Sequence, residues 1–103
     1  MLTVPDNMQR VVGGVRYRVA TATLLADDQY WDGRNHERNG RNRFLYRTPN
    51  NRYFVVTLTM WQGEQDTLEP IGEDEAAALY EQELTEHYVD WEDAFPHRLV
   101  EEA

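Results

Sequence analysis

His36 and Glu37 set a potential general base beside an acid that could orient it, and Glu83 and His87, four residues apart, would share one face of a helix as two ligands of a metal ion. Neither set is completed. Adjacent side chains rarely serve one site, and no nucleophile motif accompanies His36 and Glu37. Glu83 and His87 lack a third ligand, and His97 stands apart from both. The chain holds no G-x-S-x-G, H-E-x-x-H or D-x-D sequence, and Val12-Gly13-Gly14-Val15 lacks the spacing of a phosphate loop. With no cysteine, disulfides, thiolate metal sites and a cysteine nucleophile are excluded. The residues point to no catalytic group, no metal and no cofactor, and so to a protein that is not an enzyme.

A second chemistry is recognition. Arg43, Arg47, Tyr53 and Trp61 fall on one face of a strand pair, with Arg16 and Arg18 joining from an earlier strand. Arginine interleaved with aromatic rings on an open sheet is how single-stranded RNA or DNA is stacked and neutralised. Trp31 and Arg34 add to it from the polar segment 27–42, DDQYWDGRNHERNGRN, which also holds Tyr30, Arg38 and Arg41. Loops longer than about 12–15 residues are uncommon in compact domains and are often functional. Against nucleic acid stands the overall charge of −9, since dedicated binders are usually basic.

The element that positions these residues is the hairpin of residues 43–61, RFLYRTPNNRYFVVTLTMW. Pro49 has its φ preset for the first central position of a type I turn, and Asn51 tolerates a left-handed backbone. Pro49-Asn50-Asn51 therefore fits a three-residue loop with a G1 bulge. That loop pairs Thr48 with Arg52, Tyr46 with Phe54 and Phe44 with Val56. One face then carries Phe44, Tyr46, Phe54, Val56, Leu58 and Met60, and the other Arg43, Leu45, Arg47, Tyr53, Val55, Thr57, Thr59 and Trp61. A two-residue loop would set Arg47 opposite Phe54 and mix charge into the apolar face, so alternation and turn chemistry select one register.

Around the hairpin, residues 1–14 read as a loosely held arm with a short strand near Met8–Val12. VRYRVA alternates as a half-buried strand, while TATLLA reads either as its continuation or as a helical turn capped by Thr21. GEQDTLEPIG, residues 63–72, reads as a connector. A helix is expected over 73–86, with Gly72 at its N-cap, Glu73, Asp74 and Glu75 in its first turn, and Ala76, Leu79, Tyr80 and Leu84 as its buried stripe. Asp90 could cap a short turn, WEDAF, that ends before Pro96 and docks through Trp91 and Phe95.

The segment LYRTPNNRYFVVTLTMWQGEQDTLEPIGEDEAAALYEQEL, with RYRVATATLLADDQYWDG before it, resembles a family of short, single-domain bacterial proteins that remain uncharacterised. The likeness rests on an LYRT strand, a turn, a Tyr-Phe strand ending in Trp-Gln-Gly-Glu, and an acidic helix start, and it spans about residues 15–96. It implies the fold unit and no chemistry. Asn51 stands where that pattern has glycine, and Gly72 where it has a hydroxyl cap.

The 103 residues suffice for one domain, read as an arm over 1–14, an α+β domain over 15–96 and a tail over 97–103. The expected fold is a three-stranded antiparallel sheet, with a fourth short strand from a terminus, and one helix packed on one face. No apolar run approaches a membrane span and no signal-peptide pattern opens the chain, so no membrane is expected and the cytoplasm is the default. Charge is uneven: residues 1–62 hold nine arginines against five acids, and residues 63–103 one arginine against fourteen. The leading reading is a non-enzymatic protein-interaction module whose partner is another protein or a second copy, as a homodimer. The alternatives are an RNA or DNA binder using the Arg/aromatic face, and an acidic mimic of nucleic acid.

Overall fold

The computed structural model describes residues 3–28 and 41–103. Its centre is the expected hairpin, β4 (Arg41–Arg47) and β5 (Tyr53–Thr59). Asn51 adopts φ 60°, its N–H bonds the Thr48 carbonyl at 2.9 Å, and the Thr48 N–H donates to the Arg52 carbonyl at 2.7 Å. Phe44 pairs with Val56 and Tyr46 with Phe54, the register that the turn chemistry selects.

The main sheet is wider than expected. It has five strands in the order β6-β5-β4-β3-β7, all antiparallel. Here β3 is Thr23–Asp27, β6 is Thr67–Ile71 and β7 is Glu86–His87. The segment expected to be a connector, residues 63–72, therefore contains a strand. Glu69 and Pro70 argue against one by propensity, yet proline is tolerated on an edge, where its missing N–H faces away from the ladder. The alternating strand VRYR is not part of this sheet. It forms β2 (Val15–Arg18), which pairs with β1 (Gln9–Val12) in a separate two-stranded sheet. Gly13 and Gly14 sit at φ 58° and 78°, as a type I′ hairpin turn requires of both central residues. A 3-10 turn over Val19–Thr21 then leads into β3, so TATLLA divides between turn and strand.

Both faces of the sheet are covered. On one, Phe44, Tyr46, Phe54, Val56, Leu58 and Leu68 pack against Val4, Tyr17 and Val19. The residues expected to form a loose arm are thus tied down: Val4 is buried and β1 is paired. Tyr46 stacks on Phe54 at 5.1 Å between ring centroids, and Tyr17 meets Phe54 edge-on at 6.0 Å. On the other face, Leu45, Tyr53 and Val55 lie beneath α1 (Glu73–Gln82) and α2 (Trp91–Ala94), with Ala76, Ala77, Leu79, Tyr80, Leu84, Ala94 and Phe95. In β3, Leu24 pairs with Tyr46 and Ala26 with Leu45, leaving Leu25 as the extra residue of a bulge. That irregularity lets Leu25 and Ala26 both join the helix-side core.

Gly72 is the N-cap of α1 as expected, but the helix ends at Gln82 and not at residue 86. Glu86 and His87 pair instead with Asp27 and Ala26 on the edge of β3. Tertiary pairing there overrides the helical spacing. The WEDAF turn forms as α2 with Asp90 at its N-cap, and Phe95 docks beside Tyr53.

The left-handed Asn51 gives a test of the turn. Asn51→Gly and Asn51→Ala both lose the side-chain bonds to Arg47 and His97. Only alanine also strains a backbone at φ 60°, so it should be less stable than glycine by about 1 kcal/mol in denaturant unfolding. Equal stabilities would mean that the turn is not left-handed in solution.

Candidate interaction surface

The Arg/aromatic face is the helix-covered face, which corrects its expected exposure. Tyr53 is buried, donates its hydroxyl to the Ala94 carbonyl at 3.0 Å and stacks on Phe95 at 5.3 Å. Burial, with Glu73 adding, raises its pKa. Arg47 is half-buried and donates from Nη1 to Asn51 Oδ1 at 3.1 Å, while its Nε is buried without a partner. Arg43, also half-buried, lies 3.9 Å from Asp28 Oδ2 and 3.7 Å from Glu83 Oε1. Arg16 and Arg18 do not join this face. They point outward from β2, and Arg16 bonds Gln9 at 2.7 Å. Trp61 lies past the end of β5 and has left the face. Trp31 and Arg34, with His36 and Glu37, lie outside the described residues.

The flanks of 29–40 are tied together. Asp28 Oδ1 accepts from Asn42 Nδ2 at 3.2 Å and from the Arg43 N–H at 2.9 Å. The helical metal pair is undone by the early end of α1. His87 instead stacks on Tyr80 at 3.8 Å and donates from Nε2 to the Tyr80 carbonyl at 2.7 Å. His97 accepts from Asn51 Nδ2 at 2.9 Å. Among the described residues, no three histidine or acidic side chains gather as a metal site.

Trp91 and Phe95 supply the cover over Leu45 and Val55, so that apolar surface is closed by the chain's own C-terminal part. The large apolar side chains left outside include Met60 and Trp61, 71% and 53% exposed, just past β5. Their turn is braced. Glu64 accepts from Arg41 through both carboxylate oxygens and from Thr59 Oγ1 at 2.6 Å, and these hydrogen bonds lower its pKa. Thr59 Oγ1 accepts from the Trp61 N–H at 3.1 Å, and the Thr59 N–H donates to Asp66 Oδ1 at 2.9 Å. Trp61 was among the expected binding residues; Met60, which alternation assigned to the core face, was not, because the strand ends one residue earlier.

Both edges of the main sheet are partly blocked against strand addition. Arg10 Nη1 bonds the Leu68 carbonyl on the outer side of β6 at 2.9 Å and pairs with Glu69 at 2.9 Å. Pro70 next along has no N–H to offer. On β3 the outer edge carries β7, and the Leu25 carbonyl accepts from the Tyr88 N–H.

No protein-family profile matches the chain, nor does any curated protein or solved structure. Among the described residues no helix is long and apolar enough to cross a membrane.

Tyr88 donates its hydroxyl to buried Asp27 at 2.8 Å; burial and this carboxylate push its pKa up to about 12. Burial, with Asp27 and Asp6 adding, also pushes Tyr46 up to about 12. Both phenols hold their protons more tightly folded than unfolded, where tyrosine titrates near ~10. Their contribution to stability is full below about pH 10 and is lost as pH rises toward 12. Denaturant unfolding from pH 8 to ~12 should therefore show a fall beginning near pH 10. Tyr88→Phe should be less stable at neutral pH and lose less over the alkaline range. An alkaline decline as steep as the parent's would remove Tyr88 from this account.

Proposed function

We propose that this is a non-enzymatic protein-interaction module that associates with a second copy through the Met60–Trp61 turn. The observation that carries the reading is that a methionine and a tryptophan, 71% and 53% exposed, stand side by side on a turn braced by four side chains. Exposed tryptophan and methionine are enriched in protein contacts, and a fixed turn loses little entropy on binding. The surroundings favour self-association: Arg41 and Glu64 lie side by side at this turn. A two-fold axis beside Trp61 would bring the arginine of one copy toward the glutamate of the other, an isologous contact complementary in charge. The nucleic-acid reading has lost the open face it needed, since Tyr53 lies beneath α2. The compartment we assign is the cytoplasm, in keeping with a chain without cysteine.

Sedimentation equilibrium tests the reading. The wild-type mass should rise from 12.2 kDa toward twice that value with concentration. Added salt should favour the dimer, because each copy carries a charge of −9. Met60→Ser/Trp61→Ala should stay monomeric while remaining folded. A monomeric wild type, or a variant that dimerises as well as its parent, would rule out this contact.

A further inference from the structure

A second surface shares no lining residue with the Met60–Trp61 turn. A shallow groove of about 430 Å³ is lined by Glu81, Trp91, Glu92, Leu99, Val100 and Glu101. Its apolar part is firmly backed. Trp91 is half-buried, packs against Phe95 at 4.7 Å and meets Tyr80 edge-on at 5.9 Å. Leu99, 98% exposed, and Val100 complete the apolar lining. The three carboxylates come from three places: Glu81 from α1, Glu92 from α2, and Glu101 from the segment beyond.

Among the described residues, no basic side chain lines the groove. Arg98, the one arginine in the C-terminal part of the chain, is turned away; it bonds Asp74 at 2.7 Å and Glu73 at 3.4 Å. His97 is engaged by Asn51. Three like charges around a tryptophan floor, with no cation of the described residues between them, specify the occupant by complementarity. Anions and acidic segments are repelled. A purely apolar segment would leave the carboxylates unmatched, and a purely cationic one would leave the floor uncovered.

We propose that this groove binds a short basic segment of another protein, with one apolar side chain on Trp91 and flanking arginine or lysine side chains against Glu81, Glu92 and Glu101. The arginine plane also stacks on indole, which favours arginine over lysine next to Trp91.

Fluorescence polarisation tests this on the full chain with a labelled Arg-Arg-Leu-Arg-Arg peptide. Binding should saturate and weaken with salt, and replacing the peptide leucine by serine should weaken it several-fold. Glu81→Gln/Glu92→Gln should weaken it about tenfold. Asp6→Asn/Glu75→Gln removes the same net charge from exposed positions outside the groove and should change binding by less than about twofold. All four substituted sites are exposed, so both variants should stay folded. No saturable binding overturns the proposal. So does equal weakening by the two charge-matched variants, which would mean only a general attraction to an acidic protein, or indifference to the peptide leucine.

Discussion

The structure depends on a central hairpin that is apolar on both faces. Along β5, Tyr53, Phe54, Val55 and Val56 are buried in succession, and β4 buries Phe44, Leu45 and Tyr46. An antiparallel sheet commonly leaves one face to water, and such a strand then alternates polar with apolar. This one cannot, so the chain must supply two covers. Residues before the hairpin provide one, as the β1–β2 sheet and Val4. Residues after it provide the other, as α1, α2 and Phe95. The Tyr53 hydroxyl, a polar group on a buried face, is satisfied by the last carbonyl of α2, which helps fix where that segment lies.

The same requirement explains what was legible in the sequence. The turn was, because proline and asparagine have sharp backbone preferences, and the register followed from it. The start of α1, the short α2 and the docking of Trp91 and Phe95 were legible from caps and apolar spacing. The pairing of VRYR was not: alternation shows that a strand is half-buried but not which strand it joins. The strand at Thr67–Ile71 hid behind Glu69 and Pro70, whose edge position only the assembled sheet reveals. The Arg/aromatic face was misjudged for a related reason. Arg43, Arg47, Thr57 and Thr59 made it look wet, yet they leave Leu45 and Val55 at its middle, and Tyr53 opposite Arg47, to be buried. Of the candidate site residues, Trp61 keeps an exposed position, whereas Tyr53 belongs to the core and Arg43 lies near the chain's own carboxylates.

Covered faces and blunted edges narrow how the protein can meet others. Strand addition is disfavoured where Arg10 occupies the Leu68 carbonyl, Pro70 lacks an N–H and residues 86–88 lie along β3. Contacts must then be made by side chains on turns and between helices, where Met60, Trp61 and the Trp91 groove stand. The charge asymmetry has a spatial counterpart. Arg10, Arg41 and Arg98 are each bonded to carboxylates of the second half of the chain. Exposed pairs of this kind contribute little stability, about 0–1 kcal/mol each. Glu81, Glu92 and Glu101 meet instead along one groove.

The most direct test of the two-sided core is the nuclear Overhauser spectrum of the aromatic protons in the full chain. The account requires the Phe54 ring to contact Tyr17 and the Tyr53 ring to contact Phe95 in the same folded population. Seeing both sets of cross-peaks would establish that opposite faces of one hairpin are covered by the two ends of the chain. A Tyr53 ring without contacts to Phe95, and open to a soluble paramagnetic probe, would contradict the account and return the Arg/aromatic face to solvent.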